Sequence, residues 1–251
     1  MVTPLTEGLD DGRRETDVVL DIIDLVAATA TDPPTKPVDG VSVSVRRGEI
    51  HGLVGESGSG KSMTALAAMR LLPRGVSITG GEINLGGVNL LTVPERDMNV
   101  VRGGRIGMVA QDPMVSLNPT KRIGFQIAEG PRIHLGLGRR EAMAIATALL
   151  SEMGIPRAAQ RVRDYPHQFS GGMRQRVGIA MAVAAAPEVL IADEPTTALD
   201  VTIQAQILEL LLDLRDRRGL AVLFITHDLG VASRICDDIS VMYAGQIVES
   251  G

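Results

Sequence analysis

Aromatic residues and cysteine are both scarce in this sequence. Aromatic residues make up 2% of the 251 residues, tryptophan is absent, and no aromatic residue precedes Phe125. The first part of the chain therefore offers no aromatic ring on which a planar ligand could stack. The single cysteine, Cys236, excludes a disulfide framework and a cysteine metal site. We expect it to be a small buried apolar residue.

Neither a basic charge nor a long hydrophobic run is present. The net charge of −5 gives no electrostatic reason to expect nucleic acid as a partner. The apolar run over Val18–Ala30 is interrupted by Asp21 and Asp24. The run over Val177–Ala186 is far shorter than the ~20 residues that a membrane-spanning helix needs. A role at a membrane would therefore require membrane-embedded partners.

The first 17 residues differ from the rest of the chain. They are polar and carry Asp10, Asp11 and Glu15, where a secretory signal would carry positive charge. We predict a mobile leader over residues 1–17, followed by one domain over residues 18–251, and we expect a cytosolic chain. The overall content of 45% apolar and 22% charged residues is typical of a soluble globular protein.

Strand and helix patterns alternate along the predicted domain. Short apolar runs separated by helical stretches predict an α/β fold with a mostly parallel sheet. Alternating residues predict antiparallel hairpins at its start, around Gly86-Gly87 and at its end. Proline-punctuated loops and helices over about residues 112–170 predict an inserted helical lobe, with its clearest helix over Arg139–Met153. Other predicted strands and helices cover residues 18–26, 41–45, 105–110, 189–192, 201–218, 221–225 and 229–236.

A glycine-rich stretch follows the apolar run Ile50–Val54. Its pattern, Gly55-x-x-x-x-Gly60-Lys61-Ser62, is the phosphate-binding loop motif in its strand–loop–helix setting. Glycines let the backbone approach phosphate oxygens, and successive N–H groups bind the anion. Lys61 is expected to reach the β- and γ-phosphates, and the Ser62 hydroxyl to bind Mg²⁺. The predicted nucleotide-binding residues here are Gly55, Glu56, Ser57, Gly58, Ser59, Gly60, Lys61, Ser62 and Met63. The alternative is an ordinary flexible loop.

Polar side chains follow two further apolar runs. Asp193 and Glu194 end the run Val189–Ala192, and His227 follows Ala221–Thr226. The carboxyl ends of strands in an open α/β sheet are where ligands bind. Asp193 therefore suits Mg²⁺, Glu194 suits the base that orients an attacking water, and His227 could hydrogen-bond the γ-phosphate or that water. The alternatives are a solvated acidic turn and a structural histidine.

A second glycine pair opens a helix at Ser170-Gly171-Gly172-Met173. Ser170 is a good N-cap, and the glycines expose backbone donors at the positive end of the helix. This pattern allows anion binding but does not say which nucleotide it would serve. The alternative is an ordinary helix start.

In this order, the motifs resemble those of ATP-binding-cassette ATPases over about residues 18–251. Two further segments, Gln111–Pro119 and Tyr165–Arg176, look like those of the ATPase subunits of dipeptide and oligopeptide importers, a group that also handles nickel. The matching segments are the Walker A loop Gly55–Ser62, the Q-loop residue Gln111, the signature from Ser170, Walker B Val189–Glu194, the D-loop Ala198-Leu199-Asp200 and the switch histidine His227.

The resemblance implies the following mechanism and partners. A phosphate-loop NTPase core with a mostly parallel sheet, an antiparallel β subdomain and an inserted α-helical subdomain would bind ATP and Mg²⁺. Two such ATPase subunits would form a head-to-tail dimer, each ATP lying between the Walker A loop of one subunit and the signature of the other. The helical lobe would receive two transmembrane permease subunits, which places the chain peripherally at the cytoplasmic face of the cell membrane. An extracytoplasmic solute-binding protein would take part indirectly.

The resemblance also implies roles for individual residues. Lys61, Glu194 and His227 are the predicted catalytic residues. The predicted Mg²⁺ ligands are Ser62, Gln111 and Asp193. The remaining predicted nucleotide contacts are Gln111, Ser170, Gly171, Gly172, Met173 and Asp200.

The sequence departs from this family in two places. Family members usually stack adenine on an aromatic residue in the first hairpin, whereas Leu25–Thr29 has none. Thr29 is nearest to that position, and weak discrimination of ATP from GTP is therefore predicted. The chain also stops at Gly251, where importer ATPases normally continue. Three explanations of this length are open: a naturally short subunit, a truncation, or one half of a fused ATPase.

Several functional alternatives stay open at this point. A soluble cassette ATPase of translation or DNA repair would be expected to have a second cassette, a coiled-coil insertion or a basic surface, and the sequence has none. Another alternative is a partner subunit that does not hydrolyse ATP and only completes the site of another subunit. The presence of Glu194, His227 and an intact Walker A loop argues against it. The solute is open and includes nickel, and the second ATPase could be an identical chain or a paralogue. Two different ATPases are common in the importers that this chain resembles.

Overall fold

The computed structural model describes residues 17–112, 116–197 and 199–251. The predicted leader up to residue 16 and Ala198 of the predicted D-loop lie outside this range. The strands are β1 (Val18–Thr29), β2 (Val38–Arg46), β3 (Ile50–Val54), β4 (Val76–Leu85), β5 (Val88–Asn89), β6 (Ile106–Val109), β7 (Val189–Asp193), β8 (Ala221–Thr226), β9 (Asp238–Tyr243) and β10 (Gln246–Ser250). The helices are α1 (Lys61–Ala68), α2 (Glu95–Val101), α3 (Ile123–His134), α4 (Arg139–Glu152), α5 (Ala158–Arg161), α6 (Gly171–Val183), α7 (Val201–Arg218) and α8 (Leu229–Ile235).

A six-stranded sheet forms the centre of the fold, in the order β10-β9-β3-β8-β7-β6. All neighbouring strands in it are parallel except β9 and β10. Strands β3, β7 and β8 are buried along their whole length, because both faces of the sheet are covered. Val54 pairs with Thr226, and Asp193 pairs with Ile225, so the carboxyl ends of all three strands lie at one edge. The predicted mostly parallel sheet is confirmed.

A smaller antiparallel sheet has the order β2-β1-β4-β5. It contains the first predicted hairpin and the one around Gly86-Gly87. Strand β1 continues past the predicted end at residue 26, because Ala27 still pairs with Val38 and Thr29 with Val76. Hydrogen bonding to β2 on one side and to β4 on the other therefore extends β1 beyond the point where apolar and polar residues stop alternating.

Two apolar clusters cover the two faces of the central sheet. Successive residues of β8 enter different clusters, since Phe224 packs with the helical region and Ile225 packs with the antiparallel sheet. Helices α3 to α5 lie within the predicted helical lobe, and the lobe residues Ala142 and Leu149 share the cluster of Phe224. Helix α4 matches the predicted helix within one residue. Among the described residues, no helix is both long and apolar enough to cross a membrane.

Candidate nucleotide-binding site

The glycine-rich loop runs from the end of β3 to the start of α1. Gly60 stands directly before α1 with φ of 110°, a conformation that favours glycine. A Cβ on Gly60 would lie 2.2 Å from the carbonyl oxygen of Pro37, and one on Gly55 would lie 2.2 Å from that of Met242. Only glycine fits these two positions without displacing backbone. The loop is therefore locked between the turn before β2 and the end of β9.

Other residues of the predicted loop differ in exposure. Ser59 is buried, and its carbonyl oxygen accepts a hydrogen bond from Gly245 N at 2.9 Å. Ser62 and Met63 are half-buried in the first turn of α1. The exposed members are Glu56, Ser57 and Gly58. Their exposure leaves the mouth of the loop open to a ligand from solvent.

Lys61 is 4% exposed and bends back over the loop that precedes it. Its Nζ donates to the carbonyl oxygens of Gly55 and Glu56 at 2.7 and 2.8 Å. Burial lowers the pKa of Lys61, while the negative charges of Glu194 and Asp193 act in the opposite direction. The two carboxylates therefore partly offset the cost of burying this ammonium group.

Ser62 and Asp193 join the loop to the end of β7. The Ser62 Oγ donates to Asp193 Oδ1 at 3.1 Å. Burial raises the pKa of Asp193, and the neighbouring Glu194 charge raises it further, whereas the Ser62 hydrogen bond and Lys61 lower it. The hydroxyl and the carboxylate form a pair of hard oxygen donors, the type that Mg²⁺ prefers.

Glu194 follows Asp193 and takes a left-handed backbone conformation with φ of 46°. Its Oε2 accepts hydrogen bonds from Gln111 Nε2 at 2.9 Å and from Thr197 Oγ1 at 2.8 Å. Its Oε1 lies 3.3 Å from His227 Nδ1. Burial acts to raise the pKa of Glu194, but hydrogen bonds from Thr197 and His227, together with the nearby charges of His227 and Lys61, hold that pKa below its ordinary value. The carboxylate is thus held ionised within a ring of donors.

The predicted second anion site forms another group of contacts. Ser170 caps α6 by accepting from Met173 N at 3.3 Å, and the adjoining Gly171 is exposed. Asp200 caps α7 by accepting from Ile203 N at 2.9 Å. A Cβ on Gly172 would lie 2.5 Å from Ile203 Cγ2. Gly172 is therefore required for close packing of the starts of α6 and α7, which brings the signature and the D-loop together.

Two contacts were not predicted from the sequence. Thr197 as a partner of Glu194 was missed, and no sequence signal singles it out from the neighbouring Thr196. Gln111 was predicted to bind Mg²⁺ and nucleotide, and the structure shows its side-chain amide on Glu194. Thr29, the residue nearest to the expected base position, accepts from Thr35 N at 2.8 Å within its own turn.

A buried lysine in a glycine-rich loop, two acids at the end of β7 and a histidine at the end of β8 define a phosphate-loop nucleotide-binding site. The chain belongs to the ABC transporter family, whose model matches residues 38–197.

Relatives from this family are similar over most of the chain. A probable peptide ABC transporter ATP-binding protein of Sinorhizobium fredii is 54% identical over 235 residues, covering 93% of this chain and 70% of the relative. A probable D,D-dipeptide transport ATP-binding protein of Escherichia coli is 52% identical over 215 residues, which cover 85% of this chain and 66% of the relative. This chain therefore spans only part of the length of these relatives.

The fold is also similar to that of solved structures. A dimeric ATP-binding cassette in a post-hydrolysis state with ADP and phosphate aligns with a TM-score of 0.82 at 25% identity. The alignment covers 92% of this chain and 97% of that one. The α/β fold predicted from the sequence is confirmed.

Proposed function

We propose that this protein is the ATP-binding and ATP-hydrolysing subunit that energises an ABC importer for dipeptides or oligopeptides. The observation that carries the ATPase part is the ring of donors around Glu194, formed beside Lys61 and the Ser62–Asp193 pair. The solute class is supported by the relatives in Sinorhizobium and Escherichia, which are peptide and D,D-dipeptide transport proteins.

The residues fit ATP phosphate and Mg²⁺. Positions 55 and 60 have no space for a Cβ, which keeps the backbone of the loop in its glycine-rich path. Glu56, Ser57 and Gly58 are exposed, so phosphate can reach this part of the loop from solvent. Among the described residues there is no cluster of three or more His, Cys, Asp or Glu side chains that could hold a metal. A Mg²⁺ site of one or two protein oxygens completed by phosphates and water agrees with this. Ser62 and Asp193 would hold the ion, with Gln111 as the third predicted ligand, and the bound ion would neutralise phosphate charge.

The chain's own residues then perform four tasks. The loop of Gly55, Glu56, Ser57, Gly58, Ser59, Gly60, Lys61, Ser62 and Met63 binds and orients the phosphates. Lys61 turns from its carbonyl partners to the β- and γ-phosphates, where it stabilises the negative charge that hydrolysis develops. Glu194 orients the attacking water and accepts its proton at a carboxylate oxygen. His227, on the exposed side of that carboxylate, donates to the γ-phosphate or the water.

A second ATPase subunit completes the site. The dimeric cassette with ADP and phosphate supports this arrangement. Ser170, Gly171, Gly172, Met173 and Asp200 of one subunit would contact the nucleotide held on the loop of the other. Closing the pair excludes water from the γ-phosphate, which strengthens every electrostatic contact there.

Residues 18–251 form the nucleotide-binding domain in this proposal, and about residues 112–170 form its helical subdomain. The helical subdomain contacts two transmembrane permease subunits, so the protein lies peripherally at the cytoplasmic face of the membrane. An extracytoplasmic solute-binding protein delivers the solute to the permeases.

Affinity isolation of the tagged chain from detergent-solubilised membranes of its source, followed by mass spectrometry, tests this proposal. Two multi-spanning proteins together with a second cassette ATPase are expected. Recovery with ribosomal or DNA-repair proteins and without membrane-embedded partners would contradict the importer function while leaving the ATPase proposal in place.

A further inference from the structure

Thr197 lies in the turn after β7, three residues beyond Glu194. We propose that Thr197 is a positioning residue for hydrolysis, whose hydroxyl anchors one oxygen of the Glu194 carboxylate and leaves the other to act on water. This inference rests on the proposed function, in which Glu194 is the base.

The two oxygens of the Glu194 carboxylate have different surroundings. Oε2 accepts from Thr197 Oγ1 at 2.8 Å and from Gln111 Nε2 at 2.9 Å, both short and well-defined hydrogen bonds. Oε1 faces only His227 Nδ1 at 3.3 Å among the contacts of the described residues, and the His227 side chain is 54% exposed. Oε2 is therefore the anchored oxygen, and Oε1 is the oxygen beside the exposed His227 side chain.

Thr197 is suited to this role because it belongs to the same turn as Glu194. Thr197 N donates to Glu194 O at 3.2 Å, so the backbone and the hydroxyl of Thr197 both close back on Glu194. Glu194 N in turn donates to Ile225 O at 2.9 Å, which ties the turn to β8. These bonds hold a residue whose φ of 46° would otherwise be unfavourable for a non-glycine residue.

Gln111 reaches the same oxygen from a different segment, just after β6. Its contact therefore depends on how that segment lies against β7, whereas the Thr197 contact depends only on the turn. The Thr197 hydroxyl is therefore the anchor whose position is set by the turn that carries Glu194. Loss of the hydroxyl should disturb the direction of the carboxylate, and small losses of alignment have large effects on rate.

Replacing the hydroxyl with a methyl group of nearly equal size tests the proposal. Thr197→Val, measured in the intact ATPase with its partner subunits, should lower kcat for ATP hydrolysis about tenfold and leave the KM for ATP and the Tm nearly unchanged. Thr197→Ser keeps the hydroxyl and should restore kcat to within about threefold of the wild type. In a Glu194→Gln background, Thr197→Val should cause no further loss, because both changes act through one carboxylate.

Three results would overturn the proposal. The first is a Thr197→Val variant with unchanged Tm and a kcat within about twofold of the wild type, while Glu194→Gln is inactive. In that case the proposed function would stand, but Thr197 would have no positioning role. Another is a Thr197→Ser variant as slow as Thr197→Val, which would assign the effect to packing of the methyl group. The third is full hydrolysis by Glu194→Gln, which would remove the role of Glu194 and that of Thr197 together.

Discussion

Ser62 and Asp193, 131 positions apart in the chain, are joined by a hydrogen bond of 3.1 Å between Ser62 Oγ and Asp193 Oδ1. This bond connects the start of α1 to the end of β7. The fold brings the two motifs together because β3 and β7 both lie next to β8, with their carboxyl ends at the same edge. The sheet itself therefore brings together the two oxygen donors of the proposed magnesium site.

Removal of the Ser62 hydroxyl should weaken this site. Ser62→Ala is expected to lower Mg²⁺-dependent ATP hydrolysis by at least about tenfold and to raise the Mg²⁺ concentration needed for half-maximal rate. Ser62→Thr retains a hydroxyl on the same atom position and is the matched control. A Mg²⁺ titration of the ATPase rate compares the three proteins, and equal titration curves would contradict the assignment.

Lys61 should matter for binding as well as for turnover. Lys61→Ala removes the one buried ammonium group at the loop, and ATP affinity is expected to fall by at least about tenfold. Lys36→Ala serves as the control, since Lys36 is half-exposed and pairs with Asp39 at 3.0 Å. Equilibrium binding of a fluorescent ATP analogue measures both variants. Unchanged affinity of Lys61→Ala would show that the lysine does not contact bound nucleotide.

The predicted weak discrimination between ATP and GTP can be checked at Thr29. No aromatic residue precedes Phe125. The predicted weak discrimination means that GTP should compete with ATP within about tenfold, a difference of no more than ~1.4 kcal/mol in binding free energy. The Thr29 hydroxyl is bonded to Thr31 and Thr35, so Thr29→Ala should loosen that turn. A strong preference for ATP that survives Thr29→Ala would show that another part of the chain recognises adenine.

His51 should make the stability of the fold sensitive to pH. It is 9% exposed on β3, and its Nε2 lies 2.9 Å from Ser240 Oγ. Burial lowers the pKa of His51 below 6.5; the Arg46 charge lowers it too, and the Asp238 charge opposes them. The unfolded chain therefore takes up a proton first as the pH falls through about 6.5, and the free energy of unfolding decreases until the pKa of the folded state is reached.

A variant that lacks only His51 separates this effect from the rest of the chain. His51→Gln keeps a side chain that can hydrogen-bond Ser240. In this variant Tm should decrease less than in the wild type as the pH is lowered from about 7.5 to 5.5. Thermal unfolding across that range compares it with the wild type. Parallel curves for the two proteins would show that protonation of His51 does not control this decrease.

Much of the site could be predicted from the sequence because its functional residues occur in short motifs next to apolar strands. The glycine-rich loop, the two acids and His227 each follow an apolar run, and parallel strands bring their ends to one edge. Pairing partners were not predictable in the same way. The extension of β1 to Thr29 depends on two neighbouring strands, and the bond between Gln111 and Glu194 depends on how β6 lies beside β7.

Helix α2 and Thr197 show two further limits. Helix α2 is a short segment with Met98 and Val101 buried, too short for helical periodicity to distinguish it from a loop, although acids in its first turn favour a helix start. Thr197 gains its role only once the turn after β7 directs its hydroxyl towards Glu194. Neither its residue type nor its distance from an acid distinguishes it from Thr196, which is buried in the same turn.

The most direct test of the account is ATP binding and hydrolysis by Glu194→Gln, with Glu209→Gln on the exposed face of α7 as a matched control. Hydrolysis by Glu194→Gln should fall by at least about a hundredfold while ATP still binds, because the amide keeps the shape of the side chain but cannot accept a proton. We also expect Glu194→Gln to retain ATP in a stable closed dimer. Undiminished hydrolysis by Glu194→Gln would contradict the catalytic role of this carboxylate.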